Sequence, residues 1–138
     1  MKLKSVLTLA AAMSAASVSA ATMATPPSLP VGVWSNPKGT VHVRMQPCGE
    51  RVCGTVVWAS AKAQADAKKG GTPKLIGTQL FREFKQVAPN AWSGRVFLPD
   101  MNRTFSGKMT ALGPRTISGR GCLIGGLLCK SQTWRRID

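Results

Sequence analysis

Apolar and polar residues alternate in short runs along most of this chain. Val41, Val43 and Met45 alternate with polar neighbours, and similar runs cover residues 32–34, 52–58, 79–86, 91–98, 104–112, 115–122 and 128–137. Segments rich in Pro, Gly, Asn and Asp separate the runs, and these residues favour turns. A period of two is typical of strands with one buried face. The pattern predicts an all-β protein of about eight antiparallel strands, and sequential strands joined mainly by short turns favour an up-and-down barrel.

One segment, residues 59–69, departs from the alternation. It is rich in Ala, contains no β-branched residue and is followed by Gly70, Gly71 and Pro73. These features favour a helix with a glycine stop. We therefore expect one short helix or helical lid after the third strand, followed by a loop.

The first 20 residues have the organisation of a secretory signal peptide. Lys2 and Lys4 precede a short apolar run that ends in small residues. We expect cleavage after Ala20, with Ala24 as the alternative site; a buried N-terminal helix is the competing interpretation. Residues 21–30 then form an extended leader, and residues 31–138 form a single barrel domain.

This export signal predicts a periplasmic or secreted protein. The apolar run is too short and too rich in Ala and Ser to anchor the chain, and no later segment approaches 18 continuous apolar residues. We therefore predict no membrane span.

Four cysteines in a small exported chain favour disulfides over metal ligands. If Gly125 and Gly126 form a two-residue hairpin turn, Cys122 lies directly opposite Cys129, and Cys48 and Cys53 bracket a plausible four-residue loop. Loop-closure entropy alone favours a pairing that joins the two distant regions, whereas strand register favours local pairs. We predict the local pairs, with a four-cysteine zinc site as the alternative.

Composition limits the available chemistry. The 138 residues include 19 Lys and Arg, five Asp and Glu and one His, for a net charge of +14. A single His and five carboxylates provide little material for a metal centre or a carboxylate-based active site. We predict no metal, no cofactor and no catalytic residue. His42 as a functional base is the alternative to a structural His.

Several motifs follow one another in a characteristic order. They are Gly32-x-Trp34, Pro47-Cys48-Gly49-x-x-Val52-Cys53-Gly54, Ile76-Gly77, Trp92-x-Gly94, Leu98-Pro99-Asp100, Gly121-Cys122 and Leu128-Cys129-Lys130-Ser131-Gln132-Thr133-Trp134. From Gly32 to Arg136 the chain resembles the bacterial family catalogued as domain of unknown function 2147. The resemblance implies a lipocalin-like or calycin-like barrel in a small exported envelope protein, and it transfers no catalytic residue.

Two positions depart from the family pattern. Asn102 and Phe105 stand where the family tends to have a turn Gly and a Tyr. Asn tolerates positive φ, so the turn can form, but no phenol hydroxyl is present. Trp34 near the start, with Arg135 or Arg136 near the end, is similar to the lipocalin arrangement in which an Arg covers a Trp at one barrel end. Trp34 as an ordinary core residue is the alternative, and all four Trp are expected in the core.

The basic residues are scattered along the sequence in runs of two at most. Nucleic-acid binding usually concentrates positive charge beside aromatic residues, so we predict no physiological nucleic-acid partner. Anionic envelope polymers suit a cationic coat better.

The barrel interior offers a sharper hypothesis. If any of three arginines faces inward beside aromatic residues, the lumen becomes an apolar cup with a fixed cation, suited to a small amphipathic anion. The candidate ligand-binding residues are Arg82, Arg95, Arg120, Phe84, Phe97 and Phe105. Their facing is open at this stage, and the alternative is that the arginines point to solvent.

The sequence therefore predicts an exported binding protein and not an enzyme. The alternative is a protein that acts through its basic surface, by binding anionic polymers or by inhibiting a partner enzyme.

Overall fold

The fold was obtained as a computed structural model, which describes residues 10–20, 30–123 and 128–138. Residues 10–20 are exposed and form no helix or strand. The remaining described residues contain eight strands and one helix: β1 (Gly32–Ser35), β2 (Val41–Cys48), β3 (Arg51–Ala59), α1 (Ala61–Lys69), β4 (Gln79–Ala88), β5 (Ala91–Leu98), β6 (Arg103–Gly113), β7 (Thr116–Leu123) and β8 (Leu128–Arg136).

The eight strands form a closed antiparallel barrel in sequence order. Closure occurs between the first and last strands, where Trp34 pairs with Arg136 and Ser35 with Arg135. The closing contact is short, because β1 ends at Ser35 and the register between these two strands covers only those two pairs. The predicted up-and-down barrel is thus confirmed.

Because the strands alternate in direction, the turns lie at two ends. The helix end holds α1 and the connections over residues 36–40 and 99–102, and the tail end holds the turns at 49–50, 89–90 and 114–115 together with the last residues of the chain.

Helix α1 crosses the helix end of the barrel, as the short helix predicted after the third strand. Its N-cap is Ser60, whose Oγ accepts a hydrogen bond from the Ala63 backbone N–H at 3.1 Å. The Ser60 N–H donates to the Thr40 carbonyl at 2.8 Å. On the far side, the Thr72 hydroxyl donates to the Pro99 carbonyl at 2.8 Å. The helix is therefore tied to the barrel rim on both sides.

The tail half of the barrel is filled by side chains. The fully buried side chains there include Trp92, Phe84, Met45, Met109, Ile117 and Val52. Space there is so limited that a Cβ built on Gly94 would lie 2.8 Å from the Arg82 carbonyl oxygen and 2.8 Å from the Phe84 ring. Glycine at this position is a packing requirement.

The barrel is joined at two points by cysteine pairs at disulfide distance. The β7–β8 register places Cys122 directly opposite Cys129, with a Cα–Cα distance of 4.0 Å. This is the register predicted from the glycine pair, although the turn itself (residues 124–127) lies outside the described residues. Cys48 and Cys53 are 5.8 Å apart at their Cα atoms, at the tail end.

The loop prediction at Cys48 and Cys53 needs one correction. β3 begins at Arg51, which pairs with Cys48, so the connection is a two-residue turn and not a four-residue loop. Gly49 supplies the positive φ of this turn, at 66°. Only glycine adopts that φ without steric cost.

Trp34 and Arg136 are register partners at the tail end, where the first and last strands meet. Trp34 is 2% exposed, and its Nε1 donates to the Pro30 carbonyl at 3.1 Å. Arg136 lies beside the Cα of Gly32 and donates from Nε to the Asp138 carboxylate at 3.1 Å. The Val33 backbone N–H and the Arg136 guanidinium hold the pKa of Asp138 below its usual value.

The expectation that all four tryptophans are core residues is wrong for Trp58. Its side chain is 44% exposed and contacts the His42 ring, with centroids 4.5 Å apart. A register shift between His42 and Val43 accounts for this, because His42 pairs with Trp58 whereas Val43 pairs with Val56. A β-bulge changes which residues face outward.

Candidate functional site

A cavity of about 530 Å³ occupies the helix half of the barrel, opposite the filled half. This volume is within the usual range for small-molecule sites. The cavity is lined by the rim residues Asn36, Pro37, Lys38, Thr40, Pro99, Asp100 and Met101, by helix residues Lys62, Ala63, Asp66 and Ala67, and by wall residues that include Val41, Leu80, Phe81, Val96, Phe97, Leu98, Phe105, Gly119, Arg120, Gly121, Lys130, Gln132 and Trp134.

The floor of the cavity is aromatic. The Phe81 and Trp134 rings meet edge to face, with centroids 5.3 Å apart and an interplanar angle of 79°. Val96 and Phe105 are register partners on the adjacent wall. These side chains offer an apolar surface with a fixed shape, because edge-to-face packing orients the rings.

The opposite wall, formed by β7 and β8, is open and polar. Register pairs Ile117 with Trp134, Gly119 with Gln132 and Gly121 with Lys130. Ile117 and Trp134 are 1% and 6% exposed. Since alternate residues share a face, Gln132 and Lys130 lie on the same side as Trp134, towards the cavity.

Two glycines face these polar residues across the register. A Cβ on Gly121 would meet no heavy atom within 4 Å, and one on Gly119 would make only ordinary contacts. The missing side chains leave open space on this wall. Lys130 is exposed and borders the cavity from the inner face of β8.

Lys130 did not figure among the residues predicted for the lumen. The sequence feature that could have identified it is the even spacing along the strand, since Lys130 and Gln132 lie four and two residues before Trp134. Given a core Trp on a regular strand, alternation places both side chains on the inner face.

Charged residues surround the mouth of the cavity. Four cations and two carboxylates border the cavity: Lys38, Lys62, Arg120 and Lys130 against Asp66 and Asp100. The Lys62 ammonium donates to Asp66 at 2.7 Å on the surface of α1. This hydrogen bond holds the pKa of Asp66 below its usual value of 3.8, and the charges of Lys69 and Lys38 act in the same direction. The surroundings of the cavity carry an excess of positive charge.

The three candidate arginines lie on the outer face of the barrel. Arg82 pairs with Arg95 next to the inward pair of Phe81 and Val96, so alternation places both arginines outside. Arg120 and Lys130 are both exposed, and both border the cavity. Arg120 alternates with the inward positions of Gly119 and Gly121, so alternation places Arg120 on the outer face and Lys130 on the inner face.

The candidate aromatic residues divide between the two halves of the barrel. Phe84 is 1% exposed and belongs to the filled half, whereas Phe97 and Phe105 line the cavity. The Arg82 guanidinium lies over the Phe97 ring, 4.4 Å from its centroid. Phe97 therefore lines the cavity and also contacts an arginine of the outer surface.

The described residues hold no group of three or more His, Cys, Asp and Glu side chains arranged to bind a metal ion. Across residues 10–20, 30–123 and 128–138, no helix has the length and apolarity needed to span a membrane. His42 lies on the outer face beside Trp58, away from the cavity lining.

The sequence matches one family profile, and the fold is similar to that of a solved structure. A sequence profile described as "Uncharacterized protein conserved in bacteria (DUF2147)" matches residues 32–136. The structure is similar to the protein HP1028 from the human pathogen Helicobacter pylori, described as belonging to the lipocalin family, with a TM-score of 0.62 and 11% identity over 80% of this chain and 84% of that chain. At this identity the likeness concerns the fold. No curated protein matches the chain.

Proposed function

The chain belongs to the bacterial family DUF2147, and from that membership we propose that it is an exported binding protein that holds a small amphipathic anion in its barrel. The observation that carries the proposal is the division of the lumen into a filled half and a cavity of about 530 Å³. An eight-stranded barrel can be filled completely by side chains, but this one keeps a cavity at its helix end.

The cavity lining supports an amphipathic ligand. Phe81, Trp134, Val96 and Phe105 provide an apolar surface at the floor and one wall. Lys130 lies on the opposite wall, where Gly121 leaves space beside it. The apolar part of a ligand would pack on the aromatic floor while its anionic group approaches the ammonium of Lys130.

Two features support export, and a third fits a binding role. The N-terminal segment has the pattern of a signal peptide, and the two cysteine pairs at disulfide distance fit an oxidising compartment. These features support a periplasmic or secreted location. Binding without catalysis fits the chain because its single His lies outside the cavity.

The proposal is tested by gentle purification from the native host and by native mass spectrometry. We expect a stoichiometric small molecule, and we expect purified, delipidated protein to bind a fluorescent long-chain fatty acid. Lys130→Met should weaken this binding by roughly 10-fold or more, as expected for the loss of a charged hydrogen bond. Lys108→Met, on the outer face, is the matched control and should leave the affinity unchanged.

An empty barrel in native mass spectra, together with no binding of the fatty acid, would refute the proposal. Equal binding of the corresponding fatty alcohol would show that the anionic group is not recognised. The alternative function, in which the protein acts on an anionic polymer or a partner enzyme through its basic surface, would leave the cavity unused.

A further inference from the structure

The fold gathers arginine and lysine residues that are far apart in the sequence. Arg82 and Arg95 are direct register partners on β4 and β5, and Lys108 and Arg120 are direct partners on β6 and β7. In each pair the side chains leave the same outer face of the sheet. Charges that are scattered along the chain are therefore contiguous on the surface.

A β-bulge adds a fifth cation to this face. The register between β4 and β5 shifts between Arg82 and Lys85, where Glu83 has a φ of 52°. One extra residue resets the alternation, so Lys85 pairs with Ser93 and points outward like Arg82. We call the resulting surface the cationic band, which consists of Arg82, Lys85, Arg95, Lys108 and Arg120.

The cationic band forms two rows across the strands. In one row, Lys85 pairs with Ser93, Ser93 with Lys108, and Lys108 with Arg120, which pairs in turn with Ser131. Neighbouring strands are about 4.8 Å apart, and the second row is about 7 Å away along the strands. The serine hydroxyls add hydrogen-bond donors between the cations.

Stability of the fold does not explain this arrangement. Like charges directly opposite each other on a sheet are destabilising. Within the described residues, the two ion pairs involve Lys62 with Asp66 and Arg136 with Asp138, and neither pair belongs to the band. Of the five acidic residues in the chain, Glu83 alone lies on the strands of the band.

One member of the band is held in a fixed orientation. The Arg82 Nε–H donates to the Gln79 carbonyl at 3.0 Å, and the guanidinium lies over the Phe97 ring. Of the five N–H donors of an arginine, four remain for a partner. A guanidinium held in place loses less entropy when it binds an anion.

We propose that the cationic band binds a flexible linear polymer of phosphate groups, and that it does so independently of the cavity. The band follows the curvature of the barrel over four strands, so a flexible chain can contact both rows, whereas a flat bilayer would reach only part of them. Its five residues include no aromatic side chain on which a base could stack. The band therefore recognises charge and spacing, and not bases.

The probe for this interaction is long-chain inorganic polyphosphate, with the full chain lacking only residues 1–20. We expect binding whose logarithmic salt dependence has a slope of about −3, as for four or five phosphate contacts. The variant Lys108→Gln/Arg120→Gln should lower the affinity roughly 25-fold at about 0.1 M salt and reduce the slope by about 1.4. Removing a like-charged pair should not lower the unfolding midpoint, so loss of the fold is a separate and measurable outcome.

The matched control is Arg44→Gln/Lys74→Gln, which removes the same net charge from residues outside the band. The control should change the affinity less than 3-fold. An equal loss in both variants would mean that net charge alone drives binding, and this would overturn the proposal. Tighter binding to vesicles of anionic phospholipid, lost in the band variant, would also overturn it in favour of a membrane surface.

The two proposals fail separately. Fatty-acid binding should persist in a second band variant, Lys85→Gln/Arg95→Gln, because neither residue lines the cavity, and polyphosphate binding should persist in Lys130→Met. A band variant that loses both ligands would contradict the independence of the two sites.

Discussion

The two halves of the barrel should respond oppositely to the same substitution, Gly to Ala. Gly94 lies in the filled half, where an added Cβ would come within 2.8 Å of a backbone oxygen and of the Phe84 ring. Gly121 faces the cavity, where an added Cβ would meet no heavy atom within 4 Å. Neither glycine has a positive φ, so backbone strain does not contribute.

The magnitudes follow from packing and backbone entropy. Gly94→Ala should destabilise the fold by about 1 to 3 kcal/mol, because backbone and ring must move apart. Gly121→Ala should stabilise it by about 0.5 to 1 kcal/mol, because Ala restricts the unfolded chain more than Gly does. For a barrel of this size, about 1 kcal/mol corresponds to about 4 °C in Tm. The two variants should therefore differ by about 6 to 16 °C.

The assay is urea unfolding followed by tryptophan fluorescence, with a thermal melt as the second measurement. An unchanged m value would show that the same surface is exposed on unfolding. Gly113→Ala, at the tail end with open space around its Cβ, is the control for the general effect of removing a glycine. Equal changes in Gly94→Ala and Gly121→Ala would refute the division of the lumen into a filled and an open half.

Two further predictions concern the cysteines and the helix. Replacing Cys122 and Cys129 together by Ala should lower the free energy of unfolding by roughly 2.5 kcal/mol, the loop-entropy value for so short a closure; a loss below about 1 kcal/mol in urea unfolding would contradict it. The pKa of Asp66, measured by carboxyl NMR titration, should lie below 3.8 and rise in Lys62→Met. Because the pKa is lowered, the ion pair contributes above pH 3.8 and is lost as the pH falls through the lowered pKa.

Much of the fold could be predicted from the sequence because a barrel with short turns is built from local signals. Alternation identified the strands, the Ala-rich segment identified the helix, and the glycine pair gave the register that places Cys122 opposite Cys129. Each of these depends on residues close in the chain. The alternation of hydrophobic residues in a strand and the chemistry of a turn are local properties.

The facing of individual residues depended on two bulges. The shift at His42 and Val43 exposes Trp58, and the shift after Arg82 turns Lys85 outward. A bulge inverts the inward and outward positions of every residue that follows in the strand. Alternation alone could not decide the facing across such a point.

Both proposed binding sites depend on which residues face inward or outward and on contacts between distant segments of the chain. The sequence by itself determined a disulfide-paired, basic barrel with a helix at one end. Only the tertiary structure decided that a cavity remains at the helix end of the barrel, that Gly119 and Gly121 leave one of its walls open, and that cations from four strands share one outer surface. The physical reason is that cavity volume and charge clustering depend on cross-strand register and side-chain packing between distant segments, which no local pattern encodes.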